Sequence, residues 1–258
     1  MSTRPFIIAN WKMNLLPDEA SQAMNSLVAC QKRYSKGLER YSLIVCPSHE
    51  SISRCNNVLG KKSSPIALGG QDCFWHDKGA FTGEISPISL ERLGCTYCIL
   101  GHSERREILG ETDAMIQKKV AHLCAATSLT PIVCVGESRK ERNSGRVRSV
   151  LKRQLRSALS HVPRRRHVVV AYEPIWAIGA RHPITPKECA VALAYIHEQC
   201  QGLGIPRMYR AVVYGGSVTH DTVLSFLTKG VSDGVLVGGA SSKSAEFHSL
   251  LRTIAKIV

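Results

Sequence analysis

The chain has 258 residues, 44% of them hydrophobic and 21% charged, an ordinary globular composition that excludes a disordered or fibrous protein. One domain of this size buries roughly three quarters of the surface its unfolded chain exposes, and no apolar run approaches the roughly 18 residues of a membrane span. The formal charge of +14 is the strongest bias, and it admits nucleic acid, an anionic membrane face or an acidic protein as partner.

Arg and Lys gather between Arg139 and Arg156 and again in Arg164-Arg165-Arg166. Val147, Val150, Leu151 and Leu155 fall at helical spacing between these charges, which reads as a solvated outer helix face ending in a basic turn. No aromatic residue interleaves with the cluster to stack bases. Met1-Ser2-Thr3-Arg4-Pro5 runs directly into a short apolar strand without a signal core, so the protein is expected to be soluble and to remain in the cytoplasm. Ten cysteines scatter through apolar runs such as Ile44-Val45-Cys46 and Val133-Cys134-Val135, as small buried hydrophobes of a reducing compartment do. Cys95-Thr96-Tyr97-Cys98 has metal or redox spacing but no second Cys or His pair nearby, and it leads into the strand-like Ile99-Leu100, so it reads as structural.

Short apolar runs recur along the chain, each followed by a loop and a helical pattern. In order they are Phe6-Ile7-Ile8-Ala9, Leu43-Ile44-Val45-Cys46, Ile66-Ala67-Leu68 and Cys98-Ile99-Leu100. Pro131-Ile132-Val133-Cys134-Val135, Val168-Val169-Val170-Ala171, Ala211-Val212-Val213 and Val235-Leu236-Val237 complete the set. Near-continuous apolar runs are the mark of strands buried on both faces in a parallel sheet. Between them, Asp113 to Ala125 and Thr185 to Leu203 carry apolar residues at three- and four-residue spacing. Thr185-Pro186-Lys187-Glu188 reads as a helix start, with a capping Thr, Pro at the first position and Glu three residues after the cap. Eight strand–helix units without a low-complexity linker predict one α/β domain over residues 1–258, a (β/α)8 barrel with its site at the C-terminal ends of the strands. A doubly wound sheet is the alternative, weakened because no Gly-x-Gly-x-x-Gly follows the first run.

Strand ends therefore hold the candidate chemistry. The first run ends in Asn10-Trp11-Lys12-Met13-Asn14, the fourth in Gly101-His102-Ser103-Glu104-Arg105-Arg106 and the sixth in Tyr172-Glu173-Pro174. Singly, Glu173 reads as a strand-end salt bridge, His102 as a hydrogen-bonded filler and Lys12 as a solvated cation. Together, a carboxylate, an imidazole and an ammonium on three strand ends supply base, electrophile and fixed positive charge around one cavity. The last two runs end in Gly215-Gly216-Ser217 and Gly238-Gly239-Ala240-Ser241, where glycine lets a backbone approach a ligand closely. Loops after strands seven and eight are the usual phosphate site of barrels.

These segments, with Gly79-Ala80-Phe81-Thr82-Gly83-Glu84-Ile85-Ser86, Cys134-Val135-Gly136-Glu137, Ala171-Tyr172-Glu173-Pro174-Ile175-Trp176-Ala177-Ile178-Gly179 and Tyr214-Gly215-Gly216-Ser217-Val218, resemble the triosephosphate isomerase family end to end, in order and spacing. The resemblance implies an isomerase of glycolysis and gluconeogenesis that interconverts dihydroxyacetone phosphate and D-glyceraldehyde 3-phosphate through an enediolate. It implies that Glu173 is the base and His102 a neutral imidazole donor, an acid–base division for which this family is the standard example. Lys12 would supply point charge near the substrate oxygens, Asn10 would help position the substrate, Glu104 would support Lys12 and shuttle protons, and backbone N–H groups of Gly179, Ser217, Gly238 and Gly239 would hold the phosphate. No nicotinamide, flavin or metal is called for.

The family's lid maps to Pro174-Ile175-Trp176-Ala177-Ile178-Gly179-Ala180-Arg181-His182-Pro183-Ile184. Its first hinge matches the family, but Ala180 to Ile184 replaces the usual Thr-Gly followed by small and basic residues. Pro183 fixes its own φ and restricts His182, and Arg181 in place of Gly costs about 1–2 kcal/mol wherever a left-handed backbone is needed. A slower lid is one expectation; a hinge displaced by one residue without kinetic effect is the other. The loop from Cys73 to Ser86 carries Phe74, Trp75 and Phe81, which a monomer is expected to leave exposed. By the resemblance this loop enters a neighbouring subunit of a homodimer, where Thr82 would brace Asn10 and Lys12; a flap folded on its own barrel is the alternative. A second functional reading, a catalytically idle basic barrel that binds nucleic acid or another polyanion, predicts steeply salt-dependent binding and no turnover.

Overall fold

Eight parallel strands close into a barrel in sequence order. The computed structural model describes residues 4–178, 184–228 and 231–256. The strands are β1 Phe6–Asn10, β2 Ser42–Cys46, β3 Ala67–Gly70, β4 Cys95–Leu100, β5 Thr130–Val135, β6 Val168–Tyr172, β7 Arg210–Tyr214 and β8 Gly234–Val237. The ring is closed by β8 against β1, with Phe6 opposite Gly234 and Ala9 opposite Val237. Every apolar run read from the sequence lies in or overlaps a strand, and the Cys95–Cys98 spacing falls wholly inside β4.

Alternation along each strand divides the core in two. Ile8, Ile44, Ile99, Ile132, Val169, Val213 and Leu236 form one cluster with Cys46 and Cys134, the fill expected inside a barrel of eight strands. Their strand neighbours Ile7, Val45, Leu100, Val133, Val170, Val212 and Val237 join the larger cluster under the helices. All ten cysteines are buried and free, small apolar contributors to both layers. Burial pushes the Cys55, Cys95, Cys189 and Cys200 thiols up to about 12, which leaves them inert as nucleophiles at neutral pH.

Helix boundaries follow local chemistry. Thr185 accepts a hydrogen bond from the Glu188 N–H at 3.3 Å, and the Glu188 carboxylate accepts one from the Thr185 N–H at 3.0 Å, so the helix Pro186–Gly202 begins with its reciprocal cap in place. The helix Val147–Leu159 buries Val150, Leu151, Leu155, Ala158 and Leu159 and leaves its basic residues outside, as the spacing predicts. Arg139 and Arg142 depart from that picture. They sit on a separate short helix, Arg139–Asn143, and turn toward the barrel rim.

The loop after β3 also departs from expectation. Phe74 is buried, with 9% of its surface exposed, because it stacks on Trp75 at 4.0 Å and meets Phe81 at 4.7 Å. Trp75 is half-buried, covered by Lys118 at 5.5 Å. Only Phe81 remains exposed, and it lies parallel to His76 at 4.7 Å. The aromatic residues cover one another, which a hydropathy reading of a loop does not anticipate.

Under the rim lies a buried charge cluster. Lys119, 2% exposed, reaches Asp72 at 2.7 Å and Glu111, while Arg105 reaches Asp72 at 3.0 Å and Glu111 at 2.6 Å. Burial lifts the Asp72 carboxyl to about 6 against the pull of Lys119. Glu111 is also desolvated, but its bonds to Lys119 and Arg105 outweigh burial and hold it below its ordinary value. Lys119→Met should strand two carboxylates beside one guanidinium and cost about 3–5 kcal/mol. A denaturant midpoint equal to that of wild type would show the cluster to be energetically idle.

Candidate active site

The carboxyl ends of the strands bring Lys12, His102, Glu104 and Glu173 together. Glu173 leaves β6 with its N–H donating to the Val135 carbonyl at 2.8 Å. Its side chain is buried, 3% exposed. One carboxylate oxygen accepts the Ser103 N–H at 2.9 Å and the other meets His102 Nε2 at 3.1 Å. Room for it comes from two glycines. A Cβ on Gly136 would lie 1.8 Å from the Glu173 carbonyl oxygen, and one on Gly215 would lie 2.9 Å from Glu173 Cγ. The crowding at Gly215 thus comes from the chain's own carboxylate. At Gly216 it comes from the Tyr214 hydroxyl, 2.1 Å from where a Cβ would be.

His102 caps the short helix Ser103–Glu107, its Nδ1 accepting the Glu104 N–H at 3.3 Å. An acceptor nitrogen carries no proton, so in this arrangement the ring proton sits on Nε2. The result is an N–H aimed at Glu173 and the barrel mouth.

Lys12 has φ of 53°, a left-handed backbone that an ordinary side chain takes only under constraint. Its N–H donates to Asn10 Oδ1 at 3.0 Å, and its carbonyl accepts Gln71 Nε2 at 2.8 Å. The same amide nitrogen of Gln71 donates to the Cys46 carbonyl at 3.0 Å, so one side chain staples the ends of β1 and β2. Lys12 Nζ then reaches Glu104 at 2.5 Å. Gly238 packs against the Lys12 stem, with Cε 3.2 Å from the Cβ that it lacks. Gly238 is followed by the short helix Gly239–Ser242, and Ser241 ties it to β1 by donating to the Asn10 carbonyl at 3.1 Å. The Ser217 hydroxyl donates to the Ala177 carbonyl at 3.3 Å, which links the loop after β7 to the segment after β6.

That segment is gripped by residues whose part in it the sequence does not reveal. Pro174 leads into a turn of 3-10 helix, Ile175–Ala177. Trp176 Nε1 donates to the fully buried Glu137 carboxylate at 2.7 Å, and the Tyr172 hydroxyl donates to the same group at 3.1 Å. Burial raises the Glu137 carboxyl above the usual range, with these two donors pulling the other way. The Arg142 guanidinium lies 4.0 Å from the Trp176 ring centre, and Arg139 donates to the Trp176 carbonyl at 2.8 Å. Ile178 is 40% exposed and Ile184 is buried; Gly179, Ala180, Arg181, His182 and Pro183 lie outside the described residues. Thr82 is fully on the surface with Phe81, and neither meets Asn10 or Lys12 within a hydrogen bond of this chain.

Among the described residues no group of three or more His, Cys, Asp or Glu is placed to hold a metal. Fold and rim together define a (β/α)8 barrel enzyme with acid–base groups at the carboxyl ends of its strands. The sequence profile of triosephosphate isomerase matches residues 5–254, and the chain belongs to that family. It is 41% identical to the triosephosphate isomerase of Herpetosiphon aurantiacus and 40% identical to that of Moorella thermoacetica, in each case over 96% of this chain and 98% of the relative. The crystal structure of triosephosphate isomerase from Bartonella henselae superimposes with a TM-score of 0.84 at 33% identity, covering 98% of this chain and 100% of that one.

Gly136→Ala tests how tightly β5 holds the carboxylate. The added methyl must part β5 from β6, so a stability loss of about 1–3 kcal/mol is expected together with reduced turnover. Thermal melts and steady-state rates that both match wild type would remove Gly136 from the site's construction.

Proposed function

We propose that the barrel mouth interconverts dihydroxyacetone phosphate and D-glyceraldehyde 3-phosphate through an enediolate, with Glu173 as base and His102 as donor. The observation that carries this reading is the wiring of His102: Nδ1 accepts the Glu104 N–H, and Nε2 is directed at the carboxylate's own cavity. Glu173 removes a proton from the carbon beside the substrate carbonyl, and the His102 Nε2–H donates to the oxygen where negative charge develops. Such a donor is worth roughly 3 kcal/mol in the transition state. Both carboxylate oxygens are now engaged, one by the Ser103 N–H and one by His102 Nε2, so substrate binding has to draw the carboxylate away from the Ser103 N–H before it can act.

Lys12 supplies fixed positive charge, with its ammonium aligned by Glu104 and its backbone by Asn10. Glu104 is also a candidate proton relay, since its other oxygen stands 3.5 Å from His102 Nδ1. Backbone N–H groups of Gly179, Ser217, Gly238 and Gly239 take the phosphate, in keeping with glycine-lined loops after β7 and β8. The lid from Pro174 to Ile184 swings on the Trp176 anchor and excludes water from an enediol phosphate that would otherwise eliminate phosphate. The chemistry calls for no cofactor. A cytoplasmic location accords with a chain in which no described helix is long and apolar enough to cross a membrane.

A homodimer is part of the proposal. Beside Phe81, the exposed Met13, Leu16, Ile108 and Leu109 flank the two segments that Lys12 and Glu104 join, an apolar rim suited to a second subunit. In that arrangement Thr82 braces the partner's Asn10 and Lys12.

Two measurements test the reading. Glu173→Gln should lower kcat at least about 10²-fold while leaving the affinity for a phosphate analogue nearly unchanged; near-normal turnover would remove Glu173 from the base role. For assembly, sedimentation at micromolar concentration should give a dimer, and a fully active monomer would refute the bracing by Thr82.

A further inference from the structure

On the outer wall of the barrel, the first long helix, Pro17–Arg33, runs beside the last, Ser244–Ala255. Between them is a cavity of about 380 Å³ that shares no residue with the barrel mouth. Its polar lining is Ser26, Arg33, Tyr34, His248, Ser249 and Arg252, with the Cys30 thiol buried among them. Arg33 lies over the Tyr34 ring at 5.6 Å, and Arg252 donates to the Ser249 hydroxyl at 3.4 Å.

Neither guanidinium has a carboxylate partner among the described residues. Elsewhere Arg54, Arg105, Arg106, Arg142, Arg153 and Arg207 each pair with Asp or Glu. Both unpaired cations line the same cavity, one from each helix. Partial burial keeps His248 below its ordinary value, with no acid to draw it upward, so at neutral pH its ring offers one N–H donor. Two guanidiniums, an imidazole and three hydroxyls therefore surround a space within the size range of small-ligand sites, with no acidic group lining it. Guanidinium is the side chain whose fork of N–H groups matches phosphate oxygens in pairs.

We propose that this groove is a second anion site, which takes the phosphate dianion of a small metabolite between Arg33 and Arg252. The proposal is independent of the chemistry assigned to the barrel mouth.

The test follows the ring signals of His248 and His102 by NMR as the full-length protein is titrated with inorganic phosphate. Matched additions of sodium chloride control for ionic strength. His248 should shift saturably with phosphate and not with chloride, and His102 reports the barrel mouth in the same spectra. In Arg33→Gln/Arg252→Gln, both changes being at exposed positions, the His248 response should weaken at least about tenfold for each guanidinium removed. The His102 response and turnover should remain as in wild type. A His248 signal that stays fixed while His102 saturates would overturn the proposal, as would an equal response to chloride. So would a phosphate response that survives in the double variant. A failure of His102 to respond would bear on the barrel mouth alone.

Discussion

A carboxylate buried at the end of β6 has to find donors for its oxygens, and the arrangement of the rim follows from that need. An isolated charge in such a place is costly, and Glu173 is satisfied from β4: a backbone N–H on one oxygen, an imidazole N–H on the other. Both donors come from the first residues after one strand, so the direction in which β4 ends sets the position of Glu173. Strand β5 lies between β4 and β6 and must pass without a side chain where it meets the Glu173 carbonyl, which is why Gly136 stands there. Removing any one of these parts leaves a buried charge without a partner or a backbone without space.

The same demand shapes His102. Its Nδ1 is committed to the helix N–H of Glu104, which fixes the tautomer and leaves Nε2–H as the one proton available to the cavity. Lys12 is fixed by a different device. Its backbone is held in a left-handed state worth about 1–2 kcal/mol of strain, offset by Asn10 on one side and Gln71 on the other. Strain of this kind persists only where surrounding bonds over-determine it, and here they direct the ammonium toward Glu104.

What could be read in the sequence divides along the range of the interactions. The eight strands were legible because burial on both faces writes a continuous apolar run into three to five consecutive residues. The helix start at Thr185 was legible because a reciprocal cap needs only residues three apart. Glu173, His102 and Lys12 were legible as a set because strand ends were already located, and the roles given to them came from the family likeness. Trp176 was placed in the lid by the same likeness, but nothing marked Glu137, Arg139 and Arg142 as what holds it. Their contacts join residues more than thirty positions apart, and no periodicity records which arginine of a basic run will cross to a tryptophan. The pairing of the buried Lys119 with Asp72 escaped for the same reason, whereas Phe74 escaped because its cover is nearby loop aromatics, which no strand or helix period records.

Charge shows the two scales together. A net charge of +14 says that cations outnumber carboxylates, not where the surplus lies. Inside the fold Lys119 and its neighbour Arg105 are matched by Asp72 and Glu111, the buried Arg210 is held by Gln201 Oε1 at 2.9 Å and by the Ile205 carbonyl, and at the rim Arg142 over Trp176 also reaches Glu188 at 2.8 Å. Desolvated cations demand such partners, since an unpaired charge there costs several kcal/mol. The excess is therefore pushed to the solvated outer helices, where it is screened beyond roughly 8–10 Å. A solvated cation standing alone costs little, so isolated surface arginines carry no message. Two of them converging on one cavity between the first and last helices, with no acid along its walls, form a local concentration of positive potential that screening does not dissolve at contact distance. The fold has no use for that concentration, which is why an anion is the natural complement of the groove.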